Sequence, residues 1–139
     1  MPLYREPTDQ RLGAHMHGHV TGAPRAVLRL EGIAVLITSL VGYAVQGGSW
    51  LLLPVVLFLP DLLMVGYMAS TRLGATVYNL GHTYVMPCAL AVIGAAVHDG
   101  ALLTVACVWA AHIGMDRALG YGLKYPDAFR NTHLGIIGR

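Results

Sequence analysis

The chain has 139 residues, 55% of them hydrophobic and 12% charged, with a formal net charge of +2 and a mean hydropathy of +0.58. A soluble domain of this length could not bury so much apolar sequence, and the small charge offers no footprint for nucleic acid. Cys88 and Cys107 both fall in apolar stretches, where they are expected to pack as small apolar side chains rather than to form a bridge or bind metal.

Residues 1–25 read as a polar tail with Pro and Gly and no continuous apolar run, so no cleavable signal peptide is expected. The tract His15-Met16-His17-Gly18-His19 could chelate a metal through alternate imidazoles. It lacks the surrounding hydrogen bonds that fix a true site, and a disordered tail is the preferred reading.

Residues 26–120 are expected to hold four transmembrane helices, at about 27–46, 49–69, 74–97 and 101–120. Each stretch approaches the roughly 20 residues with which a helix crosses about 30 Å of hydrocarbon. Arg29 and Glu31 lie in the opening turns of the first, where an arginine can snorkel to the interface. Short connections force neighbouring helices to run antiparallel, so the predicted fold is an all-α, integral membrane four-helix up-and-down bundle. The basic residues fall on one side of it: Arg5, Arg11, Arg25, Arg29, Arg72, Arg117, Lys124, Arg130 and Arg139, with none in the loops Gln46–Ser49 and His98–Gly100. The positive-inside rule then puts both termini in the cytoplasm. On the last helix Ala110, Gly114 and Ala118 recur every four residues, which permits close approach of another helix, from this chain or from a second copy.

The polar residues inside the spans share one depth. Counting from the cytoplasmic boundaries, Glu31, Asn79 and Asp116 lie about 6–7 Å deep and Asp61, His82 and His112 about 12–13 Å deep. Helical phase sharpens this, because His112 and Asp116 are four apart and project from one face, while Tyr78, Asn79 and His82 share another. Pro60 precedes Asp61, and Pro87 deprives the carbonyl of Thr83, next to His82, of its partner. Loosened backbone beside ionisable groups suits a cavity that admits water or substrate.

Ionised carboxylates facing lipid are costly, so these groups are expected to point inward and to be partnered or protonated. Three arrangements satisfy that. In the first, Asp61, His82, His112 and Asp116 ligate a divalent transition metal (zinc, iron or manganese), with Glu31 as a base or further ligand and Tyr78 and Asn79 as orienting groups. In the second, the same groups move protons without metal, in an acid/base enzyme or a small proton-linked carrier. In the third they only join helices, through hydrogen bonds and ion pairs such as Glu31 with Arg29 or Arg117. No HExxH, paired ExxH or CxxC occurs, so the metal reading rests on convergence rather than on a motif.

Residues 121–139 read as an interfacial segment, with Tyr121, Tyr125 and Phe129 beside Lys124 and Arg130. Glycines at 120 and 122 permit a tight turn that folds this segment over the cytoplasmic mouth. There His133 would complete the metal site, and Lys124 and Arg130 would hold a substrate's phosphate head group.

Pro60-Asp61, Gly66-Tyr67, Tyr78-Asn79, His82-Thr83-Tyr84, Ala111-His112-Ile113-Gly114, Asp116-Arg117, the run Gly120-Tyr121-Gly122-Leu123-Lys124-Tyr125-Pro126 and Thr132-His133-Leu134-Gly135 together resemble a bacterial family of small four-helix membrane proteins, catalogued as domain of unknown function four-two-six-zero. The resemblance covers about residues 26–139 and leaves the His-rich tail outside. It implies a multi-pass protein of the bacterial inner membrane and supplies no activity. The working hypothesis is a membrane-embedded, metal-dependent enzyme, such as a hydrolase, acting on a hydrophobic or lipid-like substrate. The alternative is a non-enzymatic membrane component: an accessory subunit of a larger complex, or a small proton-linked carrier. The lipid bilayer is the expected partner, with a homo-oligomer or a larger membrane complex as further candidates.

Overall fold

The computed structural model describes residues 18–138. Most of the expected His-rich tail, including His15 and His17, lies outside the described residues. Helix α1 runs Gly22–Val45, the short α2 Leu53–Leu57, then a 3₁₀ helix Leu59–Met68, α3 Thr71–Gly81, α4 Val85–Ala96 and α5 Gly100–Leu119. A two-stranded antiparallel hairpin, β1 Asn131–Thr132 and β2 Gly135–Ile136, closes the described chain. Two of these helices, α1 and α5, are long and apolar enough to cross a membrane.

The second and third apolar stretches are not the unbroken helices expected of them. Pro54 and Pro60 each occupy the first turn of a separate segment, where a missing N–H costs nothing because first-turn amides have no helical partner. The chain restarts at each proline, and the piece that carries Asp61 winds as the tighter 3₁₀ form. In the third stretch the helix stops at Gly81 and resumes at Val85, with Pro87 in the new first turn. His82 caps the first piece with φ −110° and ψ 18°. Sequence reasoning anticipated loosened backbone at both places, and tertiary packing turns the loosening into full breaks.

Helix α5 is the axis of the molecule. Its residues Ala106, Val108, Ala111, His112, Ile113, Gly114, Asp116 and Arg117 are buried, and α1, α2 and α4 pack against it. The closest crossing is with α1 at Gly32 and Gly114. A Cβ on Gly32 would lie 2.6 Å from Cβ of Arg117 and 2.8 Å from the Gly114 carbonyl oxygen. The small-residue stripe of α5 is thus used within the chain, against α1.

The 3₁₀ segment is seated on α3 by matched spacing. Tyr67 and Leu63 of the former fill the space above Gly74 and Gly81 of the latter, where any Cβ would collide with them. Side chains four apart on one element meet glycines seven apart on its neighbour, which fixes where Asp61 stands.

Beyond α5 the chain turns back at Gly120, whose φ of +95° is the left-handed conformation that a helix-terminating glycine supplies without strain. The segment then packs over the end of the helices. Thr132 and Leu134 are fully buried, Lys124 pairs with Thr132 in an antiparallel bridge, and the amide of Val20 donates to the carbonyl of His133. Much of the outer surface is apolar by contrast: Leu30, Leu51, Met68 and Val92 are all more than 60% exposed.

Candidate metal centre

Three parts of the chain deliver the four polar residues. Asp61 comes from the 3₁₀ helix, His82 from the break after α3, and His112 and Asp116 from successive turns of α5. One ligand atom from each lies within 4.8 Å of every other. His82 Nε2 is 3.1 Å from His112 Nε2, 3.4 Å from Asp61 Oδ1 and 3.6 Å from Asp116 Oδ2. His112 Nε2 is 3.5 Å from Asp61 Oδ1 and 3.8 Å from Asp116 Oδ2. Both imidazoles are fully buried, Asp116 nearly so, and the Asp61 side chain keeps 31% of its surface. The open side of the cluster is therefore the Asp61 side.

Hydrogen bonds around the cluster set its orientation. His82 Nδ1 is 2.8 Å from the carbonyl oxygen of Tyr78; a carbonyl only accepts, so the proton is on Nδ1 and Nε2 turns a lone pair inward. Tyr78 stacks on His82 with ring centroids 3.6 Å apart, and its hydroxyl donates to Asp116 Oδ2 at 3.1 Å. Phe58 meets His112 edge to face. His112 Nδ1 is buried without a hydrogen-bond partner among the described residues.

The helix break that presents His82 is held by α5. Trp109 Nε1 donates to the carbonyl of Gly81 at 2.6 Å, and Arg117 donates to those of His82 and Tyr121, each at 2.9 Å. Carbonyls that an unbroken helix would pair internally are thus satisfied from a neighbouring element, as buried backbone requires. Sequence reasoning missed Trp109 altogether and had Arg117 as a possible ion-pair partner of Glu31. The only available signal was two long donors on the helix that faces a predicted break.

The donor set is of a metal-binding kind. Imidazole nitrogen and carboxylate oxygen are the ligand types such ions take, and two carboxylates can balance a doubly charged ion. At ligand distances of about 2.0–2.2 Å a tetrahedral site has six edges of about 3.3–3.6 Å; five of the separations here span 3.1–3.8 Å, and the sixth, between the two carboxylates, is within 4.8 Å. Asp61, His82, His112 and Asp116 therefore could hold a metal ion.

Other residues with expected roles at the centre stand elsewhere. Glu31 and His133 do not join the four. They line a second cavity of about 390 Å³ with Arg117 and Tyr84, and His133 is committed to the C-terminal segment, its Nδ1 accepting from the amide of Leu123 at 2.8 Å. Burial, reinforced by the Arg117 charge, holds that ring below the ordinary imidazole range. Among the described residues Glu31 forms no ion pair, and Arg29 instead donates to the carbonyl of Ala118. Asn79, expected to orient a substrate, clamps the backbone of Lys124, accepting from its amide at 2.7 Å and donating to its carbonyl at 2.9 Å.

Lys124 is also turned inward. Only 5% of it is exposed, and its ammonium sits 3.3 Å from the ring centroid of Phe129 and 4.6 Å from that of Tyr78, donating to the carbonyl of Phe129. Burial pushes it down to about 8, against the opposing influence of the Asp116 and Asp61 carboxylates. A lysine caged in this way does not reach an external head group. Arg130 is exposed, its carbonyl accepting from the amide of Ile137.

Beside the cluster an apolar cavity of about 320 Å³ lies between the α2–3₁₀ segment and α5, walled by Val56, Pro60, Leu63, Val108 and Trp109 among others. Pro60 adjoins Asp61, and Val108 is one turn from His112.

Comparison with curated proteins and with solved structures finds no significant match to either. Residues 25–137 match the family described as Domain of unknown function (DUF4260), a span that takes in all four clustered residues and the Gly120–Pro126 turn. The chain therefore belongs to that family.

Proposed function

We propose that this protein is a multi-pass component of the bacterial inner membrane, with both termini cytoplasmic, that binds a divalent transition metal and uses it on a hydrophobic or lipid-like substrate. The observation that carries the reading is the meeting of Asp61, His82, His112 and Asp116 with ligand atoms within 4.8 Å. Membrane insertion is supported by the apolar lengths of α1 and α5, by large side chains left exposed and by the one-sided basic residues. A bound ion would supply Lewis acidity and a water of lowered pKa. The chain's own part is to aim His82 through Tyr78 and to leave the Asp61 side open. The neighbouring apolar cavity gives a hydrocarbon chain a place to lie, and hydrolysis is the reaction that a metal-bound water would serve.

The test is metal analysis of full-length protein extracted in detergent without chelator. About one zinc, iron or manganese per chain is expected, with loss on His82→Ala and on His112→Ala. Wild type free of metal, and unable to take any up, removes the metal reading.

A second reading is favoured by the count of four protein ligands, which suits a closed, structural metal site. The protein would then be a non-enzymatic member of a larger complex, or a proton-linked carrier. Turnover of hydrophobic ester probes, lost on chelation and restored by metal, supports the enzyme. Retained metal without turnover, with a second subunit that co-purifies in fixed ratio, supports the accessory role.

A further inference from the structure

The cavity of about 390 Å³ that reaches Arg117 from the α1 side offers groups of both signs. Tyr84, one of its lining residues, has a buried hydroxyl with no hydrogen-bond partner among the described residues. His133 accepts the Leu123 amide at Nδ1, so its ring proton is on Nε2, a donor that this bond leaves uncommitted. Arg117 spends two of its nitrogens on the carbonyls of Tyr121 and His82 and still contributes its positive charge. Glu31 brings a carboxylate with no ion pair among the described residues, and Leu28 and Val35 provide apolar wall.

A bare anion would be opposed by Glu31 and a bare cation by Arg117, whereas a ligand carrying both charges meets each with its opposite. We propose that this cavity binds a phosphate ester that carries a protonated amine. The phosphate oxygens would accept from Tyr84 and His133 beside Arg117, the amine would donate to Glu31, and any alkyl chain would run along Leu28 and Val35. A membrane phospholipid and a soluble phosphoamine share this chemistry. The site is separate from the four clustered residues and does not depend on their binding metal.

The experiment uses full-length protein in detergent, with short-chain phosphatidylethanolamine, phosphatidylcholine and phosphatidylglycerol and with soluble phosphoethanolamine as probes. Binding is read by native mass spectrometry and by thermal shift. Phosphatidylethanolamine is expected to bind about tenfold more tightly than the other two lipids, since trimethylation removes the N–H donors of the amine and glycerol has no charge for Glu31. Glu31→Gln should abolish that preference, and Tyr84→Phe should weaken every phosphate probe by about tenfold. Phosphoethanolamine that displaces the lipid assigns the site to the head group alone. Failure to displace it, with the lipid preference intact, assigns the site to a phospholipid. Equal binding of the three lipids, or no effect of either substitution, overturns the proposal. Metal content of the same samples is a separate readout, so failure here and failure at the clustered residues are told apart.

Discussion

Tyr78 does two jobs at the cluster: its carbonyl accepts from His82 Nδ1 and its hydroxyl donates to Asp116. Groups that hydrogen-bond to ligands commonly control metal affinity by 10- to 100-fold. Tyr78→Phe keeps the ring stack and the carbonyl while deleting the hydroxyl, so metal affinity measured by competition with a chelator is expected to fall by about that factor. An unchanged affinity would show that the Asp116 contact does not orient a ligand. Lys124 gives a pH-dependent prediction. Its ordinary value is 10.5 and its folded value about 8, so between these the unfolded chain binds more protons. The penalty for burying the ammonium is fully present below about pH 8 and is relieved as pH rises toward the unfolded value. Denaturation of wild type and Lys124→Met across that window should show a stability difference that shifts toward wild type with rising pH. A flat difference would mean that Lys124 titrates normally.

Among the elements, the crossing of α1 and α5 is the most tightly specified. A Cβ on Gly114 would stand 2.7 Å from the amide nitrogen of Leu36 and 2.8 Å from the carbonyl oxygen of Gly32. Both are backbone atoms, so the helices must separate to admit it. Ala in place of Gly gains up to about 1 kcal/mol of helix propensity, while overpacking costs about 1–3 kcal/mol, and here the second effect should win. Gly114→Ala is expected to lower the thermal midpoint, whereas Gly100→Ala, whose Cβ would meet only Gln46 Oε1 at 3.4 Å, should be close to neutral. A rise in midpoint for Gly114→Ala would show that α1 slides freely over α5. The breaks beside Asp61 and His82 belong to this scale too: each proline marks where a helix restarts, but the carbonyls freed at Gly81 and His82 are paired only because Trp109 and Arg117 face them.

For the molecule as a whole, the proposed topology predicts which loops face outward. A cysteine introduced at Ser49, in a background with Cys88 and Cys107 replaced by Ala, should react with an impermeant maleimide in intact cells. One introduced at Ser70 should react only after the membrane is opened. The reverse pattern would invert the orientation, and labelling of both would remove the four-span arrangement.

Composition and hydropathy reached the two long apolar helices α1 and α5 from sequence alone, because the capacity to span a bilayer depends only on length and a lack of charge. The i, i+4 spacing likewise put His112 and Asp116 on one face, since that relation is internal to a helix. Tertiary packing decided the rest. Tyr67 and Leu63 seated over Gly74 and Gly81 bring Asp61 to two histidines on other elements, and a shared depth cannot separate such neighbours from residues at the same height on another face. Glu31 shows the difference: by residue count it lies near the level of Asp116, yet it lines a second cavity. Depth follows from counting residues along one helix, whereas azimuth between helices depends on side chains far apart in the chain, and no periodicity in a single segment encodes it.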